Sequence, residues 1–436
     1  MTDLEPLRAE LALALGDEPA NLEPLLGGAG RCELWTFRAA GRELVLRRYP
    51  EGYERTVVRE REWDVLRLAH SGGVPVPRPV ALSATGLIME RVDGEARPRR
   101  LLTGERWRAA RAVLVEHVAA AAARLHALPV PNGLPAGPQF GTHEPPSAAS
   151  PAEATLVGLE RKLDRVGEAH PAIELGLRWL RARLPPRSPL VIVHGDFRMS
   201  NLIADADGLR AVVDWELVHA GDGAEDLGWM CIRSWRFGVD DRPALGCGQR
   251  DELLRAYAES GGRHVSPAEL HWWEACGNAR WAVICLLQAD SALTGVAPSL
   301  ERAMIGRRAC EAEWDLLQML AGDEPAPAPV AAPQDRPAAV ELLALVADYL
   351  RDDLRPIVPR EHAFRVLVAA NACAVTAREL GADLVPSDPE APERARLLAA
   401  ELRAGLHDDR LDELVGPLRA VARARLAVAH PGWDST

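Results

Sequence analysis

Asp196, Asn201 and Asp214 are the residues whose types and spacing could do chemistry. The first two lie in the segment His194-Gly195-Asp196-Phe197-Arg198-Met199-Ser200-Asn201. The third follows in Val212-Val213-Asp214-Trp215-Glu216. Two carboxylates and an amide oxygen in this order suit transfer of a phosphoryl group. That reaction asks for a carboxylate near the attacking hydroxyl and for oxygen ligands that hold Mg2+ against the phosphates. A single Asp in a loop is ordinarily a turn residue or a helix cap, but the combination is not explained that way. His194 reads as a structural residue bracing the loop. Asp226, in Gly221-Asp-Gly-Ala-Glu-Asp-Leu-Gly228, reads as a cap or anchor for the start of a following helix.

These residues need elements to position them. Pro189 to Val193 is a short apolar run rich in β-branched residues and predicts a buried strand ending at His194. Leu202-Ile203-Ala204 predicts a second strand, Asp205 to Gly208 a turn, and Leu209 to Val213 a third strand ending at Asp214. A hairpin of the last two brings Asn201 and Asp214 together.

With those motifs the chain resembles the aminoglycoside-phosphotransferase-like kinases, and more narrowly the group that includes kinase domains fused to acyl-CoA dehydrogenases. The resemblance covers about residues 20 to 320 and is most specific over His194 to Asn201 and Val213 to Trp229. It implies an α+β class and a bilobal protein-kinase-like fold, with a small N-lobe of antiparallel sheet plus helix and a mostly helical C-lobe. It implies ATP and Mg2+ as cofactors, Asp196 as catalytic base, and Asn201 and Asp214 as magnesium ligands.

The N-lobe carries further candidates. Gly27, Gly28 and Gly30 lie in a turn before the run Glu33 to Arg38, and glycines let a backbone approach phosphates. Glu43 to Arg47 predicts a strand. Kinases place a phosphate-binding Lys on the corresponding strand. Here Arg47 takes the matching position, and the only lysine of the chain is the distant Lys162. Arginine can hold phosphates through a planar fork; Arg48 should face the other side of the strand. Thr56 to His70 predicts a helix bearing Glu60 and Glu62, of which the family pattern favours Glu62 as partner of Arg47. Gly86 to Gly94 predicts a strand entering a hinge, where the resemblance places adenine against backbone near Met89, Glu90 and Val92.

The 436 residues exceed what one core usually serves. A hydrophobic share of 48% and a charged share of 26% are those of a soluble globular chain. The net charge of −12 argues against nucleic-acid or anionic-membrane partners. Seven singly scattered cysteines, with no C-x-x-C pair, indicate neither a disulfide framework nor a zinc site. The acidic start lacks a signal-peptide core and no apolar run is long enough for a bilayer, so a cytoplasmic location is expected.

Helices are predicted over 107–128, 152–184, 224–235, 251–260, 268–288 and 300–321. Asn278 and Arg280, on a helix with three tryptophans, face either the core or an acceptor. These readings divide the chain into 1–94 (N-lobe and hinge), 95–321 (C-lobe), a Pro/Ala-rich linker at 322–335, and an all-helical accessory domain at 336–436. Asn371 and Arg378, on an otherwise apolar face, call for an internal hydrogen bond or a contact with the kinase lobe or substrate. The accessory domain is expected to dock on the kinase domain. The favoured function is phosphorylation of a hydroxyl on a small molecule, a hydroxyacyl-CoA or hydroxy acid. An aminoglycoside or other antibiotic is the alternative acceptor, and a nucleotide-binding regulatory module without turnover the alternative of another class.

Overall fold

Apolar residues alternate along Glu33–Ala39 (β2) and Arg42–Arg48 (β3), and the two pair as an antiparallel hairpin with Leu34 opposite Arg47. Ala40 and Gly41 turn the chain with positive φ, the geometry that suits a tight hairpin. The strands Ala20–Pro24 (β1), Pro79–Leu82 (β4) and Gly86–Glu90 (β5) complete an antiparallel sheet ordered β1-β2-β3-β5-β4. A Cβ at Gly86 would lie 2.1 Å from the Arg47 carbonyl oxygen, so glycine lets β5 start close against β3. This is a computed structural model, and it describes residues 4–25, 32–49, 56–137, 150–293, 302, 305–322, 324–325, 343, 346–381 and 390–433.

The period of two sorts the β3 side chains. Leu44 and Leu46 join Phe37, Ala39 and Ile88 in a core with Leu7 and Leu11 of helix α1, Glu5–Leu15. Arg47 therefore points to the other face, where helix α2, Thr56–Ser71, carries the buried Glu62. The sheet and these helices belong to a compact unit of Met1–Ser147 and Arg187–Leu270.

The same unit contains short helix α3, Pro98–Thr103, and helix α4, Arg108–His126, whose Leu114, Val118, Ala122 and Leu125 are buried. Beyond them come β6, Val191–Val193; β7, Leu202–Asp205; β8, Gly208–Val212; and β9, His219–Gly221. Strands β7 and β8 form the expected hairpin, and β6 pairs with β9. The hinge crosses β7 at Glu95, which exchanges backbone hydrogen bonds with Ala204 at 2.8 and 3.1 Å. A Cβ at Gly94 would meet the Ala204 carbonyl oxygen at 2.7 Å, so glycine is needed at this crossing. Helices α7, Gly223–Cys231, and α8, Arg250–Glu259, follow.

The second unit takes Ala148–Pro186 and His271–Thr436. The continuous helix expected over 152–184 is two helices, α5, Pro151–Val166, and α6, Pro171–Arg181. Gly167 ends the first in a left-handed cap and Pro171 opens the second, a stop and start that sequence allows at those positions. Helix α9, Pro267–Leu293, and α10, Ala309–Ala321, precede α11, Arg360–Gly381, α12, Ala391–Arg403, and α13, Leu411–Ala429. Leu175 of α6, Trp314 and Leu317 of α10, Leu402 of α12, and Val415, Leu418 and Leu426 of α13 share one core. Helices on both sides of the Pro/Ala-rich stretch thus bury a common apolar face. The chain is of α+β class, with an antiparallel N-terminal sheet and a helical C-terminal region.

Arg378 donates from Nε to the Val428 carbonyl at 2.6 Å, an internal bond between α11 and α13, while Asn371 faces solvent. Asn278 and Arg280 are buried within the second unit, where Asn278 Nδ2 donates to the Glu274 carbonyl at 3.3 Å. Among the described residues no helix is long and apolar enough to cross a membrane.

Candidate functional site

The loop from β6 to β7 is shaped from below. Gly195 has φ +79, and a Cβ there would lie 2.6 Å from the Leu217 carbonyl oxygen. The His194 ring is fully buried against Trp215 and Phe197, with ring centroids 4.6 and 5.2 Å away. Its Nδ1 accepts from the Asp196 amide at 3.1 Å, so Nε2 is the nitrogen that donates, to the Val213 carbonyl at 3.2 Å. Burial pushes the imidazole below its ordinary pKa and favours this neutral form. His194 is the brace that its sequence context suggests.

Asp226 is no helix cap. Asp222 caps α7, accepting from the Ala224 amide at 2.9 Å. Asp226 lies one turn in, fully buried, and accepts from the amides of His194 at 2.8 Å and Gly195 at 2.9 Å. His126 Nε2 is 3.2 Å away, and its Nδ1 is 2.8 Å from the Tyr257 hydroxyl. Burial raises the Asp226 carboxyl, yet the bonds from His126 and the loop outweigh it and hold the group below its ordinary value.

Asp196, 8% exposed, is gripped at both oxygens. Trp229 Nε1 donates to Oδ1 at 2.9 Å and Asn201 Nδ2 to Oδ2 at 2.7 Å. Arg198 Nε donates to the same carboxylate at 2.9 Å. Asn201 also donates to the Asp196 carbonyl at 2.9 Å. Its amino group is committed to Asp196, so its Oδ1 is the oxygen turned to other use. The Val213 amide donates to the Asn201 carbonyl at 2.9 Å, which holds the end of β8 beside the loop. Asp214 then leaves the strand with φ +68, a left-handed conformation uncommon outside glycine.

Arg47, 9% exposed, completes the group. Its Nη1 is paired with Glu62, whose other oxygen accepts from the Tyr49 hydroxyl. Its Nη2 bonds Asp214 Oδ1 at 2.7 Å and Glu216 Oε2 at 3.3 Å. Burial works against this charge, but Glu62 and Asp214 together raise the Arg47 pKa further, so the guanidinium is permanently charged. Burial, then Asp214, pushes the Glu216 carboxyl up to about 7.

The structure therefore gathers Arg47, Glu62, Asp196, Asn201 and Asp214. Gly27, Gly28 and Gly30 lie outside the described residues. In the hinge, the Glu90 amide donates to the Arg78 carbonyl and the Arg91 amide to the Glu43 carbonyl, both at 2.9 Å. The Val92 amide has no intramolecular acceptor among the described residues. Met89 shares the sheet face of Arg47, since β5 pairs Leu87 with Arg47 and Met89 with Val45. Sequence reasoning assigned no role to Glu216, Trp229 or Arg198. Trp229 was open to discovery, because it stands three residues after Asp226 on one helix face.

Can these residues hold a metal? Among the described residues no group of three or more His, Cys, Asp or Glu is placed to cage one. Asn201 and Asp214 instead offer oxygen alone, from one amide and one carboxylate. That fits Mg2+, a hard cation that takes one or two protein oxygens and draws the rest from water and phosphate. The arrangement can bring a fixed carboxylate, two oxygen ligands and buried positive charge to bear on a phosphoryl group.

A model of the phosphotransferase enzyme family matches residues 24–264. A domain of unknown function (DUF6285) matches residues 356–433. The chain is 27% identical over 352 residues to mouse acyl-CoA dehydrogenase family member 10, covering 71% of this chain and 32% of that protein. It thus spans about a third of the length of that curated relative. A candidate aminoglycoside phosphotransferase from Ralstonia eutropha JMP134 superposes with a TM-score of 0.56 at 22% identity, over 73% of this chain and 98% of the other. A macrolide 2′-phosphotransferase from Brachybacterium faecium, also 22% identical, gives 0.48 over 70% and 98%. The chain belongs to the phosphotransferase enzyme family.

Proposed function

We propose that the chain transfers the γ-phosphoryl group of ATP, with Mg2+, to a hydroxyl of a small molecule, and that Asp196 is the catalytic base. The observation that carries this reading is the Asp196 carboxylate, fixed by Trp229, Asn201 and Arg198 beside the Asn201 and Asp214 oxygens. Asp196 orients the acceptor hydroxyl and takes its proton as the new P–O bond forms. Arg47, set by Glu62 at Nη1, turns Nη2 from Asp214 and Glu216 to the nucleotide phosphates when ATP binds. Val92 presents its amide, and Met89 and Glu90 their backbone, to adenine, with Gly27, Gly28 and Gly30 over the phosphates. Asn201 and Asp214 hold magnesium, which when bound neutralises charge on the phosphate oxygens. The seven cysteines, all free thiols, fit a reducing cytoplasm.

The favoured acceptor is a hydroxyacyl-CoA or hydroxy acid, which the likeness to an acyl-CoA dehydrogenase family member supports. An aminoglycoside is the competing acceptor, and a net charge of −12 is compatible with a cationic sugar. Residues 336–436 act as an accessory domain docked on the kinase helices, a reading supported by the core that α12 and α13 share with α6 and α10. MgATP consumption should be measured against hydroxyacyl-CoAs, free hydroxy acids, aminoglycosides and sugars. Turnover that depends on a hydroxyacyl compound is the expected result. Turnover confined to aminoglycosides reverses the choice of acceptor, and no turnover with any hydroxyl compound sinks the kinase reading.

Trp229 is a positioning residue in this scheme. Trp229→Phe keeps an aromatic ring in the core but removes the donor to Asp196 Oδ1. Losing one hydrogen bond to a charged acceptor costs about 1.5–3 kcal/mol, so kcat should fall roughly ten- to a hundredfold. ATP affinity should hold, and steady-state kinetics separate the two. A fall in ATP affinity at unchanged kcat would place Trp229 outside this role.

A further inference from the structure

A cavity of about 780 Å³ opens on the hinge of the first unit; Glu90 and Val92, given to adenine above, lie on its wall, while none of Arg47, Glu62, Asp196, Asn201 or Asp214 lines it. Its walls come from the segment before β4, the hinge, α3 and the residues after it, and the β7–β8 hairpin. Six arginines line it, Arg78, Arg91, Arg97, Arg100, Arg106 and Arg210, against the four carboxylates of Glu90, Asp93, Glu95 and Asp205. A chain of net charge −12 thus concentrates positive charge in one concave place.

The arginines are arranged around a buried anchor. Glu95, 8% exposed, accepts from Arg97 Nε at 2.7 Å and Nη2 at 2.9 Å, and Arg100 Nη1 lies 3.6 Å from it. The Arg97 bonds hold the Glu95 carboxyl down at about 2, so it is ionised at any working pH. One carboxylate therefore fixes two guanidinium groups, which are 63% and 61% exposed and carry one uncompensated charge between them. Arg106 stacks on the Trp107 ring, 4.9 Å from its centre, and has no carboxylate partner among the described residues. Arg210 is held by Asp205 at 3.2 Å and Arg78 by Glu90 at 3.2 Å.

We propose that this cavity is a second anion site, which binds a small molecule carrying a diphosphate group. Several forked donors around one volume match phosphate oxygens, which accept bidentate bonds, better than a single carboxylate. The volume lies in the range of small-ligand pockets. Occupancy also has a route to the nucleotide. Glu95 is tied by backbone bonds to Ala204 of β7, the strand that follows Asn201, and Glu90 to Asp93 belong to the hinge. A ligand here acts on the hinge as an effector.

The test is calorimetric titration of the full chain with inorganic pyrophosphate, after a non-hydrolysable ATP analogue and Mg2+ have filled the nucleotide site. One further binding event is expected. It should weaken at least tenfold in Arg97→Gln/Arg100→Gln, with analogue binding and basal turnover unchanged. That double variant leaves Glu95 unpaired, so Arg106→Gln serves as the second variant, since its loss orphans no carboxylate. It should weaken pyrophosphate binding several-fold. No heat beyond the nucleotide site, competition with the ATP analogue, or unchanged affinity in Arg106→Gln would each overturn the proposal. None of these outcomes bears on whether Asp196 is the base.

Discussion

Asp196→Ala should lower turnover by about 10²–10⁴-fold, the usual contribution of the positioned general base proposed here. The nucleotide contacts assigned to Arg47 and the hinge are untouched, so the Kd for MgATP should change by much less. Turnover by coupled assay and nucleotide binding by titration, on the same preparation, make the comparison. Two features of the structure sharpen the expectation. Asp196 is almost buried, so no solvent carboxylate or water easily takes its place. The groups that hold it, Trp229, Asn201 and Arg198, are all donors. Its removal leaves them facing one another around a hole that offers the acceptor hydroxyl nothing to donate to. Asp196→Asn keeps the size but not the basicity and should be nearly as slow. Full turnover in either variant would remove Asp196 from the chemistry and leave it a loop residue.

The largest effect on stability is expected at Asp226. Asp226→Ala strips the acceptor from the amides of His194 and Gly195 and the partner from His126. Breaking a buried charged hub by removing one member typically costs about 3–5 kcal/mol. The midpoint of thermal or denaturant unfolding should fall accordingly, and the catalytic loop should lose protection from amide exchange before the N-lobe sheet does. The pH dependence has a definite sign. The folded-state pKa of Asp226 lies below its ordinary value of 3.8, so its contribution to stability is fully present above that value. It is lost as pH falls through the folded pKa. The variant should therefore flatten the acid limb of the stability curve and leave the neutral limb parallel to that of the wild type. A variant as stable as the wild type at pH 7 would show that the loop does not depend on this carboxylate.

The parts of the site that were legible in the sequence are those fixed by short-range order. Asp196 and Asn201 sit five residues apart in one loop, and the β7–β8 hairpin that brings Asp214 to them is announced by its turn residues. Arg47 on an alternating strand and Glu62 on the next helix required one long-range step, supplied by family pattern, and the two are paired in the structure. The bonds of Arg47 to Asp214 and Glu216 cross 167 and 169 positions, and no local periodicity encodes such a separation. Of the two roles the sequence allowed Asp226, the structure shows the anchor and leaves the helix cap to another residue. Asp222 already fills that place, which frees Asp226 to turn inward. The break between α5 and α6 was missed for a different reason. Gly167 and Pro171 are both visible, but the apolar pattern resumes beyond them and reads as one helix. The Pro/Ala-rich stretch marks a boundary in composition, while burial follows shape, and Leu402 and Leu418 find their neighbours on α6 and α10.

The guanidinium of Arg47 has a chemical consequence beyond its charge. Acyl thioesters and acyl phosphates slowly modify lysine amines, and a guanidinium held protonated by Glu62 and Asp214 has no free electron pair with which to attack them. The only lysine, Lys162, belongs to α5 and takes no part in the cluster. A guanidinium centre built this way is inert to the electrophiles that would acylate an amine in the same place, and it keeps its positive charge in their presence.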